Sequence, residues 1–305
     1  MHALFFIVAR WRRGRPGRYS SGVRIGFKTS QTNVDWPTLL ATWELADAEL
    51  DVFDSGWIFD HFIALGPDGG GSHEGIALAG ALAARTRRLQ FGHLVFGNTY
   101  RHPAVLANAA ATLDHLSDGR FVLGLGAGWH EGEHAMYGMP LGSIGERITM
   151  LDSAVRVIKA LFEQPGGVSL DAPPYRLTDA ILDPPPLTPG GPPIWLGTQG
   201  LRRGLRIVAE RADGWNQTGD PATFPEKRDA LLRHCEAVGR DPAEIEISAQ
   251  SFLRDGDYRA TLDTAATFAR SGAHHVVLIM PADQGPEGLR RLAREVAEPL
   301  REQFG

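Results

Sequence analysis

An aspartate and a histidine, Asp60 and His61, follow a short apolar segment of the sequence. A histidine titrates near neutral pH, so it can give a proton to a bound molecule or take one from it. The neighbouring carboxylate can fix the geometry of the loop that holds the imidazole. We interpret His61 as a candidate catalytic residue and Asp60 as a candidate binding residue. The alternative is an aspartate that caps a turn with a histidine packed beside it.

A glycine-bounded turn that leads into a predicted helix is the second candidate. Its residues are Gly197, Thr198, Gln199 and Gly200. Glycine lets a backbone approach an anion closely, and the N–H groups at a helix start then bind that anion. Arginine adds charge-assisted hydrogen bonds to phosphate oxygens. Three arginines follow in the helix: Arg202, Arg203 and Arg206. The turn is therefore predicted to bind a phosphate group.

A glycine-rich segment, LGLGAGW from Leu123 to Trp129, could let either a flat ring or a neighbouring backbone come close. It does not fit the dinucleotide-binding pattern, because Trp129 stands where the third glycine is required. His130 and His134 are four residues apart and could share a helical face, but we predict no metal site. The motif G-x-S-x-G is absent from the sequence, so a serine hydrolase is not indicated.

The candidate residues stand at the ends of predicted strands in a regular alternation. From Val23 onward, eight strand segments alternate with eight helical segments. Strict alternation requires parallel strands with helical crossovers, and eight such units close into a TIM (β/α)8 barrel of the α/β class. Active sites of such barrels lie at the carboxyl ends of the strands. Asn98 and Trp129, after the third and fourth strands, are therefore further candidate site residues.

Two segments depart from the alternation. Residues 162–192, before the fifth strand, are rich in proline and glycine and are predicted to be an irregular insertion that forms one wall of a substrate cleft. Residues 1–22 are predicted to be a flexible basic N-terminal extension, or sequence upstream of the native start, rather than a targeting segment. Residues 23–305 are predicted to be a single barrel domain.

The composition is that of a globular protein. The 305 residues are 43% hydrophobic and 22% charged with a net charge of −5, which excludes a disordered chain and gives no indication of nucleic-acid binding. The apolar run at residues 3–9 is too short to span a membrane. A single cysteine excludes an internal disulfide and suits a reducing compartment, so we expect a cytoplasmic protein.

Three stretches together resemble the luciferase-like monooxygenase superfamily: VFDSGWIFDHF, the run from Arg87 to Gly138, and PPIWLGTQGLRRGLRIVAERADGWN. The resemblance extends from Val23 to the C-terminus and is weak after Asn216. Within the superfamily the chain is most similar to the branch that uses the deazaflavin coenzyme F420. The D-H-F triplet at 60–62 and the run R-H-P-A-V-L at 101–106 carry that assignment.

The resemblance implies roles for the candidate residues. Asp60 and His61 match a pair beside the deazaflavin ring, where the histidine hydrogen-bonds the ring or passes a proton. Leu94 and Val95 match a bulge that backs onto the ring and often contains a non-prolyl cis peptide bond. Residues 197–200 match the loop that binds the cofactor phosphate. That loop usually begins Gly-Gly, so Thr198 either donates its hydroxyl to the phosphate or signals different cofactor binding.

The implied activity is hydride transfer between coenzyme F420 and a small organic substrate, in an enzyme that we expect to be a homodimer. A sugar phosphate is not the expected substrate. In the sugar-phosphate dehydrogenase of this branch acidic residues follow strands one and four, whereas those strand ends carry Gln31-Thr32 and Gly128-Trp129 here. Glu131 and Glu133 lie nearby without an assigned role. The alternatives are an FMN-dependent monooxygenase that needs a partner flavin reductase, and a flavin-binding barrel without catalytic activity.

Overall fold

The computed structural model describes residues 22–65, 69–164, 166–281 and 284–305. In these residues the strands are β1 (Arg24–Lys28), β2 (Ser55–Ile58), β3 (Gln90–His93), β4 (Phe96–Gly97), β5 (Phe121–Gly126), β6 (Val168–Ala172), β7 (Tyr175–Ala180), β8 (Ile194–Gly197), β9 (Gly214–Gln217), β10 (Glu246–Phe252) and β11 (His275–Ile279). The helices are α1 (Trp36–Glu49), α2 (Gly75–Arg85), α3 (Pro103–Leu116), α4 (Glu131–Met136), α5 (Ile144–Glu163), α6 (Arg203–Arg211), α7 (Phe224–Val238), α8 (Tyr258–Arg270), α9 (Gly285–Leu292) and α10 (Glu298–Phe304). Nearly all of the predicted basic extension at 1–22 lies outside the described residues.

Eight of these strands form a closed parallel barrel. Their order is β3, β2, β1, β11, β10, β9, β8 and β5, and β5 pairs back to β3 to close the circle. Helices follow the strands and pack outside them, with apolar faces that continue the core. The predicted TIM (β/α)8 barrel is therefore confirmed. The short strand β4 is an addition, which extends the edge of β5 beyond the point where β3 ends.

The helix starts follow from local capping residues. Asp35 accepts a hydrogen bond from the Thr38 N–H at the start of α1, 2.8 Å from oxygen to nitrogen. Ser143 and Glu146 form a reciprocal capping box at the start of α5. Both arrangements satisfy N–H groups that the first helical turn cannot bond internally. The capping box fixes where α5 begins, next to the barrel mouth.

The barrel interior is filled by aromatic and aliphatic side chains. Trp57 and Trp195 pack with their ring centroids 4.8 Å apart, together with Leu94, Val122 and Val277. A layer of polar side chains lies below this cluster, at the first residues of several strands. We call it the floor network, and its members are Arg24, Ser55, Gln90, Glu246 and His275. The interior is therefore a packed core that leaves only the mouth for a ligand.

The prediction that residues 162–192 are irregular is wrong in part. Strands β6 and β7 pair as an antiparallel hairpin, and the Pro173–Pro174 bond, which is cis, lies in the turn between them. Prolines disrupt a sheet only where they interrupt its hydrogen-bond ladder, and these two lie outside it. Alternate residues of the hairpin, among them Val168, Tyr175 and Leu177, are buried, so the period-two pattern identifies the strands once the prolines are set aside.

Candidate active site at the mouth of the barrel

A cavity of about 1220 Å³ opens at the carboxyl ends of the barrel strands. Its volume exceeds that of most sites for a single drug-sized molecule, so a cofactor and a substrate fit together. The predicted site residues that line it are Asp60, His61, Leu94, Val95, Trp129, Gly197, Thr198, Gln199 and Gly200. Asn98 does not line the cavity: it is buried behind the wall, where its Nδ2 donates to the Tyr175 hydroxyl at 3.3 Å.

The insertion does not form a wall of this cavity, in contrast to the prediction. No described residue of 162–192 is among the lining residues. The hairpin packs instead against α5. Thr188, which follows the hairpin in the insertion, donates hydrogen bonds to Asp114 of α3. The start of α5 supplies the wall with Ile144, Gly145, Arg147 and Ile148. The insertion therefore supports the helix that lines the cavity.

Asp60 is bound to the protein through both of its carboxylate oxygens. Arg101 donates to them from Nη1 at 2.7 Å and from Nη2 at 3.0 Å, and the Gly97 N–H donates at 2.9 Å. Asp60 is buried, so this bidentate ion pair is shielded from water. The pair ties the end of β2 to β4 and to the loop that follows it. Asp60 therefore positions its neighbour His61 and has little capacity left for a ligand.

His61 is held by a buried glutamate that was left without a role in the sequence interpretation. The Nδ1 atom of His61 lies 2.8 Å from Glu133 Oε2, and Glu133 is fully buried. Glu133 also accepts hydrogen bonds from the Phe62 N–H and the Tyr100 hydroxyl. With Nδ1 donating to the carboxylate, His61 presents Nε2 as the nitrogen that can exchange a proton with a ligand. The arrangement is that of an oriented general acid and base.

The charge on Glu133 is maintained by its hydrogen bonds. Desolvation by burial raises the pKa of this carboxyl, but the hydrogen bonds from Tyr100, His61 and the Phe62 N–H outweigh it and hold the pKa below its ordinary value. Burial and the adjacent Glu133 raise the pKa of Tyr100, so its hydroxyl remains a donor. Glu133 is therefore an ionised partner for His61. The signal in the sequence was its place after the fourth strand.

The histidines around Glu133 have structural partners. Residues 130–134 read HEGEH, which matches the letters of the zinc-protease pattern H-E-x-x-H. His134 bonds the His130 carbonyl oxygen through Nδ1 at 2.8 Å and Thr99 through Nε2 at 2.7 Å. The Nδ1 atom of His130 accepts from the Glu133 N–H at 2.9 Å and thereby caps α4. These contacts place Glu133 beside His61, and the described residues contain no cluster of three metal-ligating side chains.

The bulge at Leu94 and Val95 forms an apolar wall of the cavity. Its peptide bond is cis, as the resemblance implied. Glycines of β5 and β8 accommodate it, because a Cβ atom at Gly126 of β5 would lie 2.6 Å from a methyl carbon of Val95, and one at Gly197 of β8 would lie 3.0 Å from the other. The glycine-rich strand therefore admits a neighbouring segment of protein, and Val95 in turn presents its side chain to the cavity.

The predicted anion-binding turn leads into an uncapped helix. α6 begins at Arg203, and no side chain caps its first N–H groups. Arg202 and Arg203 line the cavity, whereas Arg206 pairs with Glu210 at 2.7 Å and is not a lining residue. The side chain of Gln199 is occupied by Thr218 and Lys227. Arg203 donates to the Gly145 carbonyl oxygen at 3.2 Å and to Thr149 Oγ1 at 2.8 Å. The open helix start and Arg202 remain available to an anion.

Thr198 departs from the usual Gly-Gly pattern, and the structure gives a packing reason. Its side chain is buried against Gly204 in the first turn of α6, where a Cβ atom would overlap the Thr198 hydroxyl. Its backbone oxygen accepts from Trp215 Nε1 at 3.0 Å. Thr198 and Gly204 therefore form a complementary pair that sets the turn against the helix.

A lysine that the sequence interpretation did not consider also lines the cavity. Lys28 is the last residue of β1, and its Nζ donates to the Leu94 carbonyl oxygen at 2.9 Å and to Gln250 Oε1 at 3.2 Å. Desolvation by burial lowers its pKa to about 8. No sequence motif identifies Lys28, because only the closed barrel brings the end of β1 next to the bulge after β3.

Residues 25–300 match the family described as luciferase-like monooxygenase. The chain belongs to this family. Proteins similar to it in sequence include a phthiodiolone/phenolphthiodiolone dimycocerosates ketoreductase of Mycobacterium sp. strain JLS, 35% identical over 193 residues that cover 62% of this chain and 50% of the relative. An F420-dependent glucose-6-phosphate dehydrogenase of Amycolatopsis mediterranei strain U-32 is 34% identical over 165 residues, which cover 53% of this chain and 49% of the relative. The chain thus spans about half the length of these two relatives.

A solved structure of this fold is similar over nearly the whole barrel. It is an F420-dependent secondary alcohol dehydrogenase in complex with an F420–acetone adduct, with a TM-score of 0.76 and 19% identity over 92% of this chain and 99% of that one. At this identity the match shows the shared fold. No helix in the described ranges has the length and apolar character needed to cross a membrane.

Proposed function

We propose that the protein is an oxidoreductase that transfers a hydride between coenzyme F420 and a small organic substrate. The observation that carries the proposal is the His61–Glu133 pair, 2.8 Å between Nδ1 and Oε2, beside the apolar Leu94–Val95 wall of the cavity. The relatives named for F420 support the choice of cofactor. The cytoplasmic location and the homodimer remain proposals based on composition and resemblance.

The residues of the cavity fit a planar ring that carries a phosphate. Leu94 and Val95 offer an apolar surface, and the uncapped start of α6 offers N–H groups to an anion. Arg147, Arg202 and Arg203 add positive charge along the lining. Asp60 is an acidic lining residue, but Arg101 neutralises it. The charge and shape of the site are therefore compatible with a deazaflavin or flavin phosphate.

The chain would contribute placement and proton control, while bound F420 would supply the hydride chemistry. His61 would hold or move a proton at Nε2, and ionised Glu133 would orient the imidazole and stabilise its protonated form. Asp60 and Arg101 would keep His61 in place. The Leu94–Val95 wall would exclude water from one side of the bound cofactor. The ketoreductase relative makes ketones and secondary alcohols the first substrates to examine.

The proposal is tested by titrating the purified protein with F420 and, separately, with FMN while following cofactor fluorescence. We expect tighter binding of F420 and turnover of a ketone or a secondary alcohol. Preference for FMN would contradict the proposal and favour an oxygen-using monooxygenase with a partner flavin reductase. Binding without turnover of any substrate would favour a barrel that only binds flavins.

The anion-binding turn offers a matched pair of variants for the same titration. Arg202→Gln removes a cavity-lining charge and should weaken F420 binding by about tenfold. Arg206→Gln removes a charge on the same helix that pairs with Glu210 outside the cavity, and it should leave the affinity unchanged. Equal affinities of the two variants would contradict an anion site at this helix start.

A further inference from the structure

The basic residues of this chain are almost all arginines. Of the 31 basic residues 28 are arginine, and the three lysines are Lys28, Lys159 and Lys227. Arginine carries a planar and permanently charged group, whereas lysine carries a compact point charge that can approach a single oxygen atom. A lysine at the barrel mouth is therefore an exception in this chain that calls for a physical reason.

One N–H donor of the Lys28 ammonium group has no acceptor among the described residues. Its ammonium group has three N–H donors, and the Leu94 carbonyl oxygen and Gln250 Oε1 take two of them. The Phe59 ring centroid lies 5.4 Å from Nζ. No carboxylate within the described residues lies within 4.0 Å of this nitrogen, in contrast to Arg101, which pairs with Asp60 and Glu74.

A cation in such a place destabilises the protein unless something else compensates it. Burial penalises the charged form, and here two neutral oxygens and one ring face are its partners. The desolvation that lowers the pKa of Lys28 to about 8 expresses this cost. Partly buried charges without a counter-ion are a recognised mark of functional sites. Lys28 lines the cavity, so a group that compensates its charge would belong to a molecule bound in the cavity.

We propose that Lys28 binds an anionic or electron-rich oxygen atom of the molecule held in the cavity, through the N–H that neither Leu94 nor Gln250 accepts. The inference deepens the proposed function and rests on it for the identity of the ligand. The oxygen belongs either to the cofactor ring or to the substrate, for example the carbonyl oxygen of a ketone. Binding of this kind transfers neither a proton nor an electron.

The position of Lys28 separates its role from that of His61. The Phe59 ring neighbours both residues: its centroid lies 5.4 Å from Nζ of Lys28 and 5.8 Å from the centroid of the His61 ring. The two polar groups therefore contact the bound molecules at different points of one cavity. His61 controls a proton there, and Lys28 supplies a fixed positive charge.

The test uses Lys28→Met, which removes the charge, Lys28→Arg, which keeps it, and Lys159→Met as a control. Lys159 lies in α5 and is not a cavity-lining residue. Three quantities are measured for each protein: the melting temperature without ligand, the F420 dissociation constant by fluorescence, and kcat and KM for a ketone or secondary alcohol.

We expect the melting temperature of Lys28→Met without ligand to equal or exceed that of the wild type, because the variant removes an uncompensated charge. If the oxygen belongs to the cofactor, F420 binds at least about tenfold more weakly to this variant. If it belongs to the substrate, F420 affinity is unchanged and kcat/KM falls by at least about tenfold. Lys28→Arg keeps the positive charge, so it should retain part of the wild-type F420 affinity or of the wild-type kcat/KM in either case.

Two results would overturn the inference. One is a Lys28→Met protein that matches Lys159→Met in F420 affinity and in kcat/KM. The other is a clear loss of melting temperature in Lys28→Met that Lys28→Arg restores, since Lys28 would then only support the Leu94 bulge. If the wild type binds neither F420 nor FMN, the proposed function fails, and the melting temperature of Lys28→Met alone decides between the two roles of Lys28.

Discussion

The barrel holds a histidine–glutamate pair at each of its ends. At the mouth, His61 Nδ1 lies 2.8 Å from Glu133, and at the floor, His275 Nδ1 lies 3.1 Å from Glu246. In the floor pair the second nitrogen of His275 bonds Ser55 at 2.9 Å, and Arg24 binds Glu246 at 2.8 Å. Each hydrogen-bonding group of that pair therefore has a partner in the protein.

The mouth pair differs in the use of its second nitrogen. His61 Nε2 makes no hydrogen bond within the described part of the chain, and its ring lines the cavity. The same two residue types thus have both ring nitrogens of the histidine enclosed at the floor, and one ring nitrogen left open to the cavity at the mouth. Residues at the carboxyl ends of barrel strands commonly carry the chemistry, and those at the opposite face carry stability.

The largest expected effect comes from breaking the mouth pair at its histidine. His61→Ala should lower kcat by about a hundredfold or more, because positioned proton transfer contributes that much to many enzymes. F420 affinity and melting temperature should stay close to those of the wild type. Steady-state kinetics with F420 and a ketone or alcohol measures the effect. An unchanged kcat would remove His61 from the mechanism.

Glu133→Gln is expected to have the next largest effect. It keeps the shape of the side chain but removes the charge that orients His61, which should lower kcat by about tenfold to a hundredfold. The same assay applies, with Glu131→Gln as the control, because Glu131 lies in the same helix and does not contact His61. Equal kinetics of the two glutamine variants would contradict the positioning role of Glu133.

The floor pair should respond in stability and not in catalysis. His275→Ala removes one buried hydrogen-bond partner from Ser55 and one from Glu246, which keep Trp57 and Arg24 respectively, and should lower the free energy of unfolding by about 1–3 kcal/mol. Urea unfolding measures this loss, and kcat per folded molecule should remain that of the wild type. A large fall in kcat at full stability would show that the two ends of the barrel are not separate in function.

The smallest effect is a dependence of stability on pH that arises from buried histidines. Desolvation lowers the pKa of His275, and it lowers that of His93 to about 3. Below the unfolded histidine pKa of about 6.5 the unfolded chain takes up protons that the folded chain does not, so stability falls as pH falls. Between pH 7.5 and 5.5 His93 should cost about 1 kcal/mol of stability, and His275 should add to the loss in the same direction, as measured by urea unfolding.

His275→Gln provides the check on this assignment. The variant should show a smaller loss of stability between pH 7.5 and 5.5 than the wild type, because one of the histidines with a lowered pKa is gone. A loss of the same size in both proteins would mean that other groups, such as His93 with its pKa lowered to about 3, cause the loss of stability in this pH range.

The fold and much of the cavity lining could be predicted from local patterns. Alternation of apolar strands and amphipathic helices requires parallel strands, and capping residues such as Ser143 fix helix starts within a few positions. The hairpin in 162–192 was missed because its prolines were counted without regard to their place in the turn. Asn98 was misplaced because a residue at a strand end can face away from the cavity.

Periodicity and short motifs act over neighbouring residues, so they predict the barrel, the family and the segments that reach its mouth. Which side chains meet at the mouth depends on how distant segments come together in the folded chain. Asp60 pairs with Arg101, 41 positions away, and His61 pairs with Glu133, 72 positions away. Such contacts depend on the closure of β5 onto β3, and no local pattern records which buried carboxylate will lie beside an imidazole after that closure.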